Sequence, residues 1–168
     1  EGSAAELERA VKDGCRGGWV APFTHSRKGH GHPDHDPLWR KAVELDVPIA
    51  IHPTYEPVWS IPVRFDRLGR AGEFHYNVTL RQGVQQAWLT FLDYGTLERF
   101  PTLRLGILES GMGWLGPFLD RCDGTVGLCA DTGNAELNLI RHHVPDKCLC
   151  QLGNVAVHHR ADHVQIGD

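Results

Sequence analysis

The stretch from Asp36 to Pro53, DPLWRKAVELDVPIAIHP, restricts the chain to few architectures. It predicts a helix, a tight connection, a short strand and a histidine where the strand stops. Pro37 suits a first helical turn, where a missing N–H costs nothing, and Asp36 stands where it can cap that turn. Leu38, Ala42 and Leu45, with Trp39 and Val43 beside them, form an apolar stripe at helical spacing. Asp46-Val47-Pro48 ends the helix, because the residue before a proline disfavours helical geometry. Ile49, Ala50 and Ile51 are apolar without alternation, as expected of a strand covered on both faces in a parallel sheet. His52 follows at the carboxyl end of that strand, the end that carries the chemistry in parallel α/β folds.

The flanking sequence repeats this alternation. Ala4 to Asp13 predicts an amphipathic helix with Leu7, Ala10 and Val11 inward and Gly14 as its stop. Cys15 to Pro22 predicts a short strand, weakened by Gly17-Gly18. Thr24 to Asp36, rich in Gly, Pro and His, predicts a solvated loop or a flexible lid. Tyr55 to Gly72 carries prolines without a period and predicts a long loop. Val78 to Asp93 predicts a helix with Leu80, Val84, Ala87, Trp88 and Phe91 on one face and Gly95 as stop. A helical turn at Thr96 to Phe100 is closed by Pro101. Leu103 to Leu108 predicts a second buried strand, Glu109 to Gly113 its exit loop, and Trp114 to Asp123 the next helix. Pro117 is tolerated there in the first turn. Thr125 to Asn134 fits no single class. Ala135 to His143 predicts a helix and Lys147 to Leu152 a weak strand, and the tail beyond Gly153 has little apolar content to hold it. Helices alternating with strands imply one α/β domain, residues 1–168, with a parallel sheet and right-handed crossovers.

Composition narrows the function classes. A net charge of -4 supplies no electrostatic reason to expect nucleic acid or an anionic membrane as partner. No apolar run approaches the ~20 residues of a membrane helix, and no signal peptide is visible. Cys15, Cys122, Cys129, Cys148 and Cys150 form an odd set without a Cys-x-x-Cys pair. This favours buried free thiols and a cytoplasmic protein over a disulfide frame or a structural zinc site. The opening Glu1-Gly2-Ser3 lacks an initiator methionine and runs almost directly into a helix, as in a piece of a longer protein.

Two strand ends carry the candidate chemistry. His52 can offer an imidazole nitrogen to a metal, or simply bond a backbone carbonyl. Glu109, ending the second strand, would face the same mouth. Burial there would raise its pKa and suit it to proton transfer or to holding a metal-bound water. The plainer role is a carboxylate interacting with the N–H groups that open the next helix. Gly111-Met112-Gly113-Trp114-Leu115-Gly116 spells the dinucleotide pattern G-x-G-x-x-G, with Asp131 twenty residues past Gly111. The charge of Glu109 and the bulk of Trp114 and Pro117 fit a pyrophosphate poorly. Among His25, His30, His32 and His35, His30-Gly31-His32 imitates a ligand pair but has no strand to fix it. His159 and His163 receive no role, and His142-His143 suits a helix C-terminus without one.

Taken together, these strand ends resemble a known family. Asp36-Pro37-Leu38-Trp39 leading to Val47-Pro48-Ile49-Ala50-Ile51-His52-Pro53 resembles the fifth-strand region of the amidohydrolase-related metal-dependent hydrolases. These TIM-barrel enzymes include aminocarboxymuconate-semialdehyde decarboxylase and the resorcylate-type decarboxylases. Leu97-Glu98-Arg99-Phe100-Pro101-Thr102-Leu103-Arg104-Leu105, Glu109-Ser110-Gly111-Met112-Gly113-Trp114-Leu115 and Leu119-Asp120-Arg121-Cys122-Asp123 are similar to the sixth strand and following helix. The resemblance spans about residues 4–123 and, more faintly, 145–168.

It implies a partial (β/α)8 barrel covering about strands four to seven, and one divalent metal ion, zinc or manganese. His52 matches the fifth-strand metal ligand. Glu109 stands at the sixth-strand position, histidine in some relatives and glutamate in many. The first-strand His-x-His pair would precede residue 1 and the eighth-strand aspartate would follow Asp168. The implied activity is hydrolysis or non-oxidative decarboxylation of a small carboxylated or cyclic substrate, with His52 holding the metal, Glu109 positioning or protonating the reacting group and Trp114 walling the mouth. The implied partner is a small-molecule substrate, and a homodimer is compatible with the family. The alternatives from the residues are a dinucleotide-binding α/β domain using Gly111 to Gly116, and a non-catalytic α/β module.

Overall fold

A computed structural model describes residues 2–54, 57, 72–111, 113–131 and 164–165. In chain order it contains α1 (Gly2–Lys12), β1 (Gly18–Val20), α2 (Asp36–Glu44), β2 (Ile49–Ile51), α3 (Gly72–Asp93), α4 (Thr96–Arg99), β3 (Leu105–Ile107), α5 (Leu115–Asp131) and β4 (Val164–Gln165). A single turn of 3-10 helix, Pro33–His35, leads into α2. The strands form one parallel sheet in the order β3-β2-β1-β4. Gly18, Trp19 and Val20 lie opposite Ile49, Ala50 and Ile51, which in turn lie opposite Leu105, Gly106 and Ile107.

The helices stop where glycine or a substitute takes a left-handed backbone. Gly14 follows α1 at φ 101°, with the Gly14 and Cys15 N–H groups donating back to Val11 O and Ala10 O. Gly95 does the same after α3 at φ 60°. At the end of α2 the left-handed residue is Asp46, φ 51°. Its N–H and that of Val47 donate to Val43 O and Ala42 O, the paired bonds of a Schellman close. The bend before Pro48 therefore comes with a full set of terminal hydrogen bonds. Asp36 does not cap α2. It is the first helical residue, and its carboxylate is held by Arg99, Nη2 to Oδ1 at 2.8 Å and Nε to Oδ2 at 3.1 Å. His35 takes the cap position without a side-chain cap bond.

The core lies between the helices and one face of the sheet. Leu7 from α1, Leu38, Trp39 and Ala42 from α2, and Val84, Ala87, Trp88 and Phe91 from α3 pack with Val20, Ile49, Ile51 and Leu105. Leu80, expected on the same face of α3, lies outside the described side chains. Ile49 and Ile51 are wholly buried, whereas Ala50 between them is only half-buried. The strand therefore has one covered face among the described residues, which corrects the expectation of cover on both. A run of small and branched apolar residues does not reveal which face is covered.

The loop from Thr24 to Asp36 is exposed along 25–28 and 33–34, as a solvated loop would be, but packed at Thr24, His30 and Gly31. His30 is 4% exposed and stacks on Phe91, ring centroids 6.1 Å apart. Its Nε2 donates to Ala21 O at 2.7 Å, and its carbonyl accepts Trp39 Nε1–H at 2.9 Å. Gly31 explains the fit. A methyl group there would overlap the Thr90 carbonyl, and one at Gly29 would lie 2.6 Å from the Thr90 methyl. Gly17 serves likewise in front of β1, where a Cβ would stand 2.8 Å from Pro48 O.

Other expectations shift in extent. β1 is shorter than Cys15 to Pro22, α3 begins six residues before Val78, and α5 runs through Thr125 to Asp131. Cys15 is a free thiol, half-buried, and Cys122 is half-buried as well. The fourth strand is Val164–Gln165, in the tail judged too polar to hold; it pairs with the free edge of β1, where backbone bonding needs no apolar side chain. The predicted loop 55–71, the helix from Ala135, the strand from Lys147, Cys148, Cys150 and His142, His143, His159 and His163 lie outside the described residues, apart from Pro57.

Gly31→Ala is expected to cost about 3 kcal/mol or more of unfolding free energy through backbone overlap, against less than about 0.5 kcal/mol for Gly113→Ala, where a Cβ meets nothing; urea unfolding of the two variants checks this. The loop also carries a pH-dependent clip. The Lys28 ammonium hydrogen-bonded to Asp34 holds that carboxyl below its ordinary range. A depressed carboxyl stabilises the fold above its unfolded-state pKa, and the contribution fades as pH falls through the folded value. The gap in unfolding midpoint between wild type and Asp34→Asn should therefore close on acidification.

Candidate functional site

His52 is the first residue past β2, and its backbone stays in the ladder: its N–H donates to Val20 O at 3.1 Å. On the other side, the Leu108 N–H donates to Ile51 O at 3.0 Å. The exits of β2 and β3 are thus pinned at one level. Alternation along β2 turns His52 to the same face as Ala50, opposite the helix-covered Ile49 and Ile51.

The structure brings two of the three predicted site residues, His52 and Glu109, together. His52 Nε2 lies 3.6 Å from Glu109 Oε2, with the side chains 30% and 67% exposed. His52 Nδ1 bonds the Pro53 carbonyl. A carbonyl only accepts, so Nδ1 carries the hydrogen and, in the neutral ring, Nε2 keeps its lone pair toward Glu109. The indole of Trp19, on β1, packs against the imidazole with ring centroids 5.3 Å apart and planes tilted by 53°. Trp19 lies in the strand predicted for Cys15 to Pro22 but was not among the predicted site residues. Its signal was positional: in register with Ala50, it shares the face of His52.

Glu109 is exposed, so the burial invoked to tune it is not present among the described residues. Its backbone is unusual instead. Glu109 sits at φ 51°, a left-handed conformation that costs an L-residue roughly 1–2 kcal/mol. Gly111 follows at φ 63°. Between them Ser110 is buried, its Oγ donating to Leu108 O at 3.1 Å. Trp114 Nε1–H donates to Gly111 O at 3.0 Å, and its ring meets Phe118 edge-on. Trp114 thereby closes the turn into α5 through its contacts with Gly111 and Phe118.

The dinucleotide alternative loses its geometric basis here. Its third glycine normally permits close packing of helix on strand. A Cβ at Gly113 or at Gly116 would meet nothing within 4 Å. Met112 lies outside the described residues.

His52 Nε2 can offer one bond to a divalent cation, and Glu109 Oε2, 3.6 Å away, stands close enough to hold a proton or a water beside it. The described residues hold no group of three or more His, Cys, Asp or Glu able to bind a metal. The loop histidines do not form one: His30 is committed to Ala21, and His32 Nδ1 accepts from the Asp34 N–H as cap of the 3-10 turn.

Comparison with known proteins shows the family of the chain. Residues 1–148 match the family described as Amidohydrolase. The Decarboxylase orsB of Emericella nidulans is 34% identical over 127 residues, which is 70% of this chain and 36% of that protein. An amidohydrolase from Mycobacterium avium subsp. paratuberculosis K-10 superposes with a TM-score of 0.60 at 17% identity, over 95% of this chain and 39% of that one. The 5-carboxyvanillate decarboxylase of Novosphingobium aromaticivorans, solved with bound manganese and 3-methoxy-4-hydroxy-5-nitrobenzoic acid, superposes with a TM-score of 0.56 at 21% identity, over 80% of this chain and 37% of that one. The chain thus spans somewhat over a third of each of these proteins. Its mixed α/β fold with parallel strands is that of the amidohydrolase barrels, and the chain belongs to the amidohydrolase family.

Proposed function

We propose that this chain forms part of a metal-dependent enzyme that decarboxylates without oxidation, or hydrolyses, a small carboxylated ring compound. The observation that carries the proposal is the approach of His52 Nε2 to Glu109 Oε2 at 3.6 Å across the ends of two adjacent parallel strands. Decarboxylation is the branch supported by the relatives: the 34% identical fungal protein is named a decarboxylase, and the Novosphingobium enzyme acts on a carboxylated aromatic acid. The manganese in that enzyme supports a divalent ion here, manganese or zinc. On this proposal the described strands correspond to the middle of an eight-stranded barrel, about strands four to seven, and the substrate is a small molecule bound at their carboxyl ends.

When bound, the metal supplies a Lewis acid that polarises a substrate oxygen or activates water. His52 holds it through Nε2, with Nδ1 anchored to Pro53 O. Glu109, in its acid form, delivers a proton to the ring carbon that bears the carboxylate. The C–C bond then breaks, its electron pair returns to the ring, carbon dioxide leaves, and Glu109 remains as carboxylate. For hydrolysis Glu109 starts as the carboxylate and takes a proton from the attacking water. Trp114 walls the exit loop from which Glu109 projects.

The conformation of Glu109 supports a chemical role. Glycine would occupy φ 51° at lower cost, and an exposed carboxylate contributes little to folding. A residue kept there against its backbone preference is a functional candidate.

In the intact protein, His52→Ala should abolish activity and lower bound metal at least tenfold, read by elemental analysis; unchanged metal and activity would overturn the proposal at its centre and favour a non-catalytic module. Glu109→Gln should retain metal within about tenfold while kcat falls roughly 100-fold or more. Glu109→Gly should lose activity equally but unfold no more easily than wild type, gaining up to about 1 kcal/mol. The 168-residue chain alone, supplied with manganese or zinc, should show no turnover, since the candidate donors among the described residues fall short of the three a catalytic metal commonly takes.

A further inference from the structure

We propose that Trp19 is a positioning residue for His52, fixing the plane of its imidazole so that Nε2 stays aimed at the metal and at Glu109. This rests on the proposed role of His52 as metal donor and extends it to a residue on the neighbouring strand.

An imidazole at a strand end has two torsions to settle. The bond from Nδ1 to Pro53 O restrains one ring nitrogen but leaves the ring free to swing about that contact. The side chain is 30% exposed and lies on the face opposite the helix-covered Ile49 and Ile51. Trp19 supplies a rigid surface. In register with Ala50 and Gly106, it shares a layer with the two smallest residues of this face. That layer leaves room for an indole to lie across the sheet one step below His52. The ring centroids stand 5.3 Å apart at a 53° tilt, within the range in which aromatic rings attract. The indole thus covers part of the imidazole from the neighbouring strand. Residues that orient a metal-binding histidine set metal affinity without touching the ion.

The test measures binding of manganese(II) alone to the intact protein by competition with a chelator, for Trp19→Phe, Trp19→Leu and His52→Ala. Phe and Leu each replace much of the indole volume and both suit a half-buried strand position, so a merely structural role would treat them alike. Trp19→Phe is expected to bind within twofold of wild type, while Trp19→Leu weakens binding roughly three- to tenfold. A folded Trp19→Leu that binds within twofold of wild type, or a Trp19→Phe that falls as far as Trp19→Leu, overturns the inference. His52→Ala separates the two levels: its loss of manganese alongside an unaffected Trp19→Leu sinks the role of Trp19 alone, whereas retained manganese in His52→Ala sinks the site itself and the inference with it. If Trp19→Leu fails to fold, Trp19→Phe still decides, since weakening beyond threefold in that variant is incompatible with ring packing as the cause.

Discussion

Strand β2 is bonded on both sides, and everything at the site depends on where those bonds leave its last residues. The pairing of Ile51 with Val20 and Ile107 ends with two further hydrogen bonds, His52 N–H to Val20 O and Leu108 N–H to Ile51 O. They carry the ladder one step past the strand, so the histidine and the turn that bears Glu109 emerge at the same height. A slip of one residue would turn His52 into the helical layer and expose Ile51, which is wholly buried. The hydrophobic demand of Ile49 and Ile51 therefore sets the direction of His52. Packing on one face of the sheet aims chemistry from the other.

The loop between β1 and α2 shows how the helical layer keeps that arrangement stiff. Most of its buried polar groups are paired across the layer: His30 with Ala21 and Trp39, the Gly31 N–H with Thr90 Oγ1, and the Gly31 carbonyl with Thr96 Oγ1 and Arg99, while His35 Nε2 has no hydrogen-bond partner among the described residues. Arg99 reaches on to Asp36, joining the loop and the start of α2 to α4. A buried backbone group left unpaired costs about as much as a lost hydrogen bond, so these contacts permit the loop to lie inside the layer. Arg104 repeats the device at the other end of α2, binding Asp46 at the entry to β3. Ion pairs and hydrogen bonds thus sit at the helix ends, and apolar side chains fill the space between.

Much of this was legible along the chain. The helical stripe of α2, the glycine stops after α1 and α3, the short apolar strands and the two strand-end residues all follow from local spacing and local backbone preference. What failed did so for identifiable reasons. Asp36 reads as a cap because caps are local, yet Arg99, sixty-three positions away, claims its carboxylate. The histidine loop reads as solvated because Gly, Pro and His are polar or flexible by type, which holds along 25–28 and 33–34 but not at Gly29 and Gly31, which let the backbone lie against Thr90. Glu109 was expected to be tuned by burial, but its distinguishing feature is a left-handed backbone, and only glycine and asparagine advertise such a site by type.

By itself the sequence determined the alternation of helices and strands, the parallel sense of the sheet that short strands joined by helices require, and the placing of His52 and Glu109 at strand ends. Each depends on residues near one another in the chain. Only the tertiary structure decided that Nε2 and Oε2 stand 3.6 Å apart, that Trp19 lies against the imidazole, and that one face of β2 is covered while the other carries the site. Those outcomes depend on register between strands thirty or more residues apart. Register is chosen by which apolar side chains reach the core together, and neighbouring residues carry no record of that choice.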